Sequence, residues 1–249
     1  MKNTKLITIG ALPLMWIIYF LFELITGRIT TISFFIFNCA LILLFSLIGY
    51  FIYLLSKKYI NGFSKKATFL IFIFAMFIDQ GIKLIIKAFF FNHNINIIPE
   101  LLSFNPIINT QGSWLNARFN TSLSFSFLIT INFLALILLI ELYRYLLFKG
   151  YKTFWGDMAF IFLLSGALCS LIDKCFYGGS LDFIGISDLF VADIKDIYIN
   201  FGLYSFILAA YSSGYLTSED NSTLKDDINS IKLFFNFIKK DILSIIKKH

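Results

Sequence analysis

The sequence predicts an all-α membrane protein of six transmembrane helices, and three observations predict it. Of the 249 residues, 58% are hydrophobic and only 14% charged. The mean hydropathy is +0.80. A soluble domain would carry roughly a quarter charged residues to cover its surface. The apolar residues also fall in long blocks rather than in amphipathic stripes, and several blocks reach the about 20 residues that a bilayer core requires.

The blocks are Leu6–Ile25, Ile32–Leu55, Thr68–Phe90, Leu123–Leu147, Phe154–Ile172 and Ile197–Tyr215. Backbone polar groups in lipid must be paired within the segment, so each block is expected to be helical. The start Met1-Lys2-Asn3-Thr4-Lys5 followed by apolar residues resembles a signal peptide. No small-residue cleavage site follows and the run is as long as a span, so a retained first helix is expected.

The joints orient the chain. Lys57, Lys58, Lys65 and Lys66 lie between the second and third blocks, and Arg144, Lys149 and Lys152 at the joint after the fourth. The tail is lysine-rich as well. The positive-inside rule makes all three cytoplasmic, with an even number of spans between them. Both termini are then cytoplasmic, and 92–121 and 174–195 lie on the outer side. The net charge of +6 is thereby read as topology and not as nucleic-acid binding.

The two outer segments differ from the joints. One is asparagine-rich with Pro99, Pro106 and Gly112; the other holds Gly178, Gly179, Gly185 and a run of aspartates. Loops this long between short spans are more often functional than connecting. After Thr217 the residues Leu224, Ile228, Ile231, Phe235, Ile238, Ile242 and Ile245 recur at steps of four and three with lysines between. That is an amphipathic helix, suited to an anionic leaflet, with a packing partner as the rival reading.

Chemistry concentrates in a few places. Asp79 and Lys83 stand i and i+4 inside the third block, on one helix face. Ionisable residues within a span are costly, so the pair is either functional or a structural ion pair. The fifth block ends with small residues from Ser165 to Ser170, then Asp173 and Lys174, which read alternatively as an interfacial charge pair. Asp182 follows a glycine turn in an apolar patch, and Asp193 and Asp196 stand at the start of the sixth helix, where the helix N-terminus favours negative charge. Two carboxylates brought together share a proton, and can hydrolyse an amide without metal or nucleophilic side chain. The plainer alternative makes Asp193 or Asp196 only a helix N-cap. Cys39, Cys169 and Cys175 have no metal-ligand spacing, and with only His93 and His249 no zinc site or other cofactor is expected.

These motifs, in this order, resemble the bacterial lipoprotein signal peptidase (signal peptidase II) family. Asp79-Gln80-Gly81-Ile82-Lys83 resembles its Asp-Gln-x-x-Lys, and Asn109-Thr110-Gln111-Gly112-Ser113-Trp114 its Asn-x-Gly-Ala-Ala-Phe. Gly166 to Lys174 resembles Gly-Ala-x-Gly-Asn-x-x-Asp-Arg, Leu181-Asp182-Phe183 resembles Val-Asp-Phe, and Asp193-Ile194-Lys195-Asp196 resembles Asn-x-Ala-Asp. The resemblance covers roughly residues 68–217. It implies a four-helix core with a small outer β-rich region, preceded by two additional helices (1–67) and followed by the basic tail (218–249). It also implies an aspartyl endopeptidase that removes signal peptides from diacylglyceryl-cysteine prolipoproteins, with Asp182 and Asp196 as the catalytic dyad. Asp79, Lys83, Asn109, Ser170, Asp173, Lys174 and Asp193 become supporting or substrate-binding positions.

Departures are present. Cys169-Ser170 stands for Gly-Asn, replacing an amide by a hydroxyl. Lys174 stands for Arg and loses the planar fork. Asp193 stands for Asn and adds a charge near Asp196. A second reading, from a different class, is a non-catalytic relative that binds lipid-modified peptides or scaffolds a membrane complex. A transporter is the third, without an inverted repeat to favour it.

Overall fold

The computed structural model describes residues 2–99, 101–110, 123–186, 190–214 and 224–246. Its helices are α1 (Lys2–Ile25), α2 (Ile32–Lys58), α3 (Lys65–Ile85, continued by a π turn over Ile86–Phe90), α4 (Phe125–Phe148), α5 (Phe154–Phe176), α6 (Ile194–Ser212) and α7 (Leu224–Ile246). Strands β1 (Ile95–Ile98), β2 (Leu102–Asn109), β3 (Ser180–Ile186) and β4 (Phe190–Ala192) form one antiparallel sheet in chain order. Among the described residues, α1 from Lys5, α2, α3 with its π turn, α4 and α5 are long and apolar enough to cross a bilayer. The sixth expected span corresponds to α6, which starts three residues early and so takes Lys195 and Asp196 into its first turn.

Polarity is inverted relative to a water-soluble fold. Phe77 is 73% exposed while Asp79, two residues on, is fully buried. Lys83, Asp157, Asp173 and Asp193 are buried too, whereas Phe69, Phe74, Phe133 and Leu134 face outward. Such an arrangement is stable where the surroundings are hydrocarbon and the polar groups satisfy one another inside.

Helix α5 is the centre of the bundle, packing on α6, α4 and α3, while α1 pairs with α2 and touches α6. Small residues permit the closest approach. A Cβ added at Gly166 would lie 2.6 Å from Ile199 Cγ1, and one at Gly202 2.7 Å from Leu163 Cγ. Each helix thus sets a glycine against a branched side chain of the other, and dispersion contacts replace the missing hydrophobic drive between helices in lipid. Tyr198 donates its hydroxyl to Ala75 O at 3.0 Å and ties α6 to α3.

The two ends differ. At the end away from the sheet, buried Asp157 accepts the Phe63 amide at 2.6 Å and the Tyr143 hydroxyl at 2.8 Å, joining the α2–α3 linker to α4 and α5. At the other end, Leu181 and Phe183 of β3 pack with Ile86 of α3. Because side chains alternate along a strand, Ser180 and Asp182 turn to the opposite face.

Helix α7 is docked and not merely amphipathic. Phe234 and Phe237 meet Tyr145, Phe237 also meets Phe148, and Asp241 pairs with Arg144 at 2.5 Å. These residues lie beside the expected apolar stripe, whose Ile228, Ile231, Phe235 and Ile242 stay exposed. The Leu224 and Ile245 side chains of that stripe are outside the described residues.

Candidate active site

The site forms where four elements end together: α3, the end of α5, β2–β3, and the first turn of α6. Helix α3 supplies Lys83, whose ammonium lies 2.9 Å from Asp79, 2.7 Å from Asp173 and 2.6 Å from Asp193. Gln80 donates to Asp79 at 2.9 Å. One buried cation is thus held by three carboxylates from three helices. Losing one member of such a group would strand buried charge, so the cluster fixes the helix ends relative to one another. The alternative reading of Asp173 and Lys174 as an interfacial charge pair is not what forms: Asp173 is fully buried against Lys83, and Lys174 donates to Ser170 Oγ at 2.5 Å within α5.

Asp182 comes from β3. Gly178, at φ +64°, turns the chain out of α5 into that strand, a conformation most side chains avoid. Asn109 of β2, opposite Ser180 in the ladder, donates to Asp182 Oδ2 at 2.9 Å. Ser180 donates to Asp182 Oδ1 at 2.6 Å. Helix α6 then begins with a capping box. Asp193 Oδ1 accepts the Asp196 amide at 3.2 Å, and Asp196 Oδ2 accepts the Asp193 amide at 3.1 Å. The N-cap reading of Asp193 is therefore correct, and it coexists with a place in the site. Carboxylate oxygens of Asp182, Asp193 and Asp196 lie within 4.8 Å of one another.

Lys195, which sequence reasoning passed over, sits inside this group. Its ammonium is 2.5 Å from Asp193, 3.5 Å from Asp173 and 3.6 Å from Asp182, and it donates to Ser180 Oγ. Its signal was available. In the pattern Asn-x-Ala-Asp quoted above, the acid at 193 and the base at 195 depart together, as a compensating pair does. Gln80 was not singled out although it stands in the Asp-Gln-x-x-Lys pattern, and Ser180 lies in none of the quoted motifs.

Burial pushes the Asp182 carboxyl above its ordinary range, against Lys195 and the hydrogen bonds from Ser180 and Asn109. Burial likewise pushes Asp196 up to about 7, with Lys195 opposing and Asp193 adding to the rise. Burial would raise Asp193 as well, yet the Lys195 and Lys83 ammoniums outweigh it and hold Asp193 below the usual carboxylate range. The group thus contains one firmly ionised carboxylate and two with a raised affinity for protons.

Of the residues singled out from sequence, Asp79, Lys83, Asn109, Asp173, Asp182, Asp193 and Asp196 are brought together; Ser170 and Lys174 pair with each other beside them. Gln111, Gly112, Ser113 and Trp114 of the second motif lie outside the described residues.

Apolar helices around a buried acidic site, closed by a small sheet, define a membrane protein with an ionisable centre at one end of its bundle. The family model described as signal peptidase (SPase) II matches residues 71–212, from within α3 to the last residue of α6. The chain belongs to the signal peptidase II family, a family of membrane proteases. Two similar solved structures are each described as a bacterial membrane enzyme solved by the in meso method. One is 23% identical with a TM-score of 0.53, covering 66% of this chain and 99% of its own. The other is 25% identical with a TM-score of 0.50, covering 61% and 96%. The first of these likenesses is one of fold. No curated protein matches the chain.

Proposed function

We propose that the protein is an aspartyl endopeptidase that removes the signal peptide from diacylglyceryl-cysteine prolipoproteins, with Asp182 and Asp196 as its dyad. The observation that carries this reading is the approach of the two carboxylates, within 4.8 Å, from a strand and a helix N-terminus. Asp182 is the base, since Asn109, Ser180 and the Lys195 charge all favour its ionised form. Asp196, the acid, keeps its proton to about pH 7.

Water between the two gives a proton to Asp182 while its oxygen attacks the scissile carbonyl carbon, and Asp196 donates to the carbonyl oxygen. The tetrahedral intermediate then collapses. The C–N bond breaks as the proton held by Asp182 passes to the leaving nitrogen of the lipid-modified cysteine, and a hydroxyl proton of the intermediate returns to Asp196 as the new carboxyl group forms. Lys83, Asp79, Asp173 and Asp193 hold the framework on which the two acids are aimed.

The same reading makes α6 from Ile197 onward the sixth span, with Asp196 at its outer start, and sets the sheet end on the outer side of the cytoplasmic membrane of a bacterium, with both termini inside. Residues 68–217 form the catalytic core, 1–67 add two helices, and 218–249 form the basic tail. In proteoliposomes, wild-type protein should cleave a diacylglyceryl-modified prolipopeptide, and Asp182→Asn and Asp196→Asn should each lose that activity by orders of magnitude. Normal cleavage by either variant removes the dyad. Lipopeptide retained by wild-type protein without turnover points instead to a non-catalytic binder.

A further inference from the structure

We infer that Lys195 is a positioning residue of the dyad, its ammonium set between Asp193 and Asp182 so that the framework charges and the reacting carboxylates are joined through one cation. The inference rests on the dyad reading above.

The geometry separates the roles of the two buried lysines. Lys83 faces Asp79 of its own helix, Asp173 of α5 and Asp193 of α6, all within 2.9 Å, and so spends its charge on the framework. Lys195 also reaches the framework, Asp193 at 2.5 Å and Asp173 at 3.5 Å, but of the two lysines it is the one that extends further to Asp182, at 3.6 Å, and to Ser180. Among the described residues it is the one cation within 4 Å of a dyad carboxylate. Its donation to Ser180 also orders that hydroxyl, because an oxygen that accepts from an ammonium must aim its own proton elsewhere. The Asp182 oxygen 2.6 Å away is the nearest acceptor.

The neighbours that bear on the dyad are Asp79 and Lys83 from α3, Asp173 and Lys174 from α5, and Asp193 with Lys195 in the first turn of α6. Asn109 and Ser180 are its uncharged donors. Asp193 and Lys195 act on the dyad with opposite sign, and they touch. Removing Lys195 alone leaves Asp193 more strongly felt; removing both charges largely cancels.

The test is the pH profile of prolipopeptide cleavage by the full chain in proteoliposomes, with kcat and KM separated. A cation favours the ionised form of each dyad carboxyl, so Lys195→Met should move both limbs of the profile upward, by roughly 1 to 3 pH units, in kcat and with KM little changed. Asp193→Asn combined with Lys195→Met should bring the limbs back toward wild type. Lys195→Arg keeps the charge and should keep the limbs.

Unmoved limbs in Lys195→Met overturn the inference, whatever the fall in rate, since a merely structural role lowers kcat without displacing them. Should Lys195→Met fail to fold, displaced limbs in Lys195→Arg overturn it and wild-type limbs support it. Asp182→Asn distinguishes the two readings: if it still cleaves, the dyad is wrong. Infrared titration of the carboxyl band then decides for Lys195 alone, an upward shift in Lys195→Met supporting its hold on Asp182 and no shift overturning it.

Discussion

Asp196 carries the clearest consequence at the scale of single residues. Its carboxyl is pushed up to about 7, chiefly by burial. The proposed general-acid role requires the protonated form, so on that reading the rate should be sustained below that value and fall as pH rises through it. The alkaline limb of the pH profile near neutrality, absent in Asp196→Asn because no activity remains, is the measurement. Lys83 is the residue on which the site's architecture depends most. Lys83→Met leaves Asp79, Asp173 and Asp193 facing one another without their shared cation. Breaking a buried ionic group by removing one partner costs about 3–5 kcal/mol. Thermal unfolding in detergent should show a marked drop in Tm, far larger than for Lys174→Met, whose ammonium hydrogen-bonds Ser170 of its own helix among the described residues.

At the scale of elements, α5 and α6 are locked by the reciprocal pairs Gly166 with Ile199 and Gly202 with Leu163. A β-carbon at Gly202 would also fall 2.9 Å from the Leu163 amide nitrogen, which cannot move aside as a side-chain tip can. Gly202→Val should therefore destabilise by about 1–3 kcal/mol, the usual cost of overpacking. Because α6 carries the Asp193–Asp196 turn, activity should fall more steeply than Tm. Gly10→Ala, where an added Cβ meets nothing, is the control. At the far end, Asp157→Ala strands the Phe63 amide and the Tyr143 hydroxyl, costing about 1–3 kcal/mol. That change should lower Tm with kcat at permissive temperature nearly intact, since Asp157 lies at the other end of the bundle from the dyad.

The whole molecule is a bundle apolar on its surface and ionic within, with one end capped by a sheet and the other by a polar clamp. Its orientation is testable with its own thiols. Cys175 is exposed beside the sheet, following the end of the cluster on α5. A membrane-impermeant thiol reagent should label it on intact cells. In a Cys175→Ser background, Lys58→Cys at the opposite end should react only after permeabilisation. The reverse pattern would turn the site to the cytoplasm and remove prolipoprotein processing at the outer face from consideration.

What the sequence determined by itself is whatever depends on local spacing. Runs of apolar residues the length of a bilayer require helices because hydrocarbon offers no hydrogen-bond partner. Asp79 and Lys83 must share a face because a helix repeats every 3.6 residues. The ordered motifs pointed to the family, and the alternation after Thr217 to a helix. Only the tertiary structure decided how residues about 90 or more positions apart meet: that Lys83 serves Asp173 and Asp193 as well as Asp79, that Asp157 reaches Phe63, and that α7 docks through Phe234 and Phe237. The place of Lys195 was decided by the fold as well, although its partners stand nearer to it in sequence. Its charge is neutralised by acids from one strand and two helices, and no local period encodes a point where three elements converge. The position of a buried charge is settled by the partners that replace its water, and those partners are chosen by the fold.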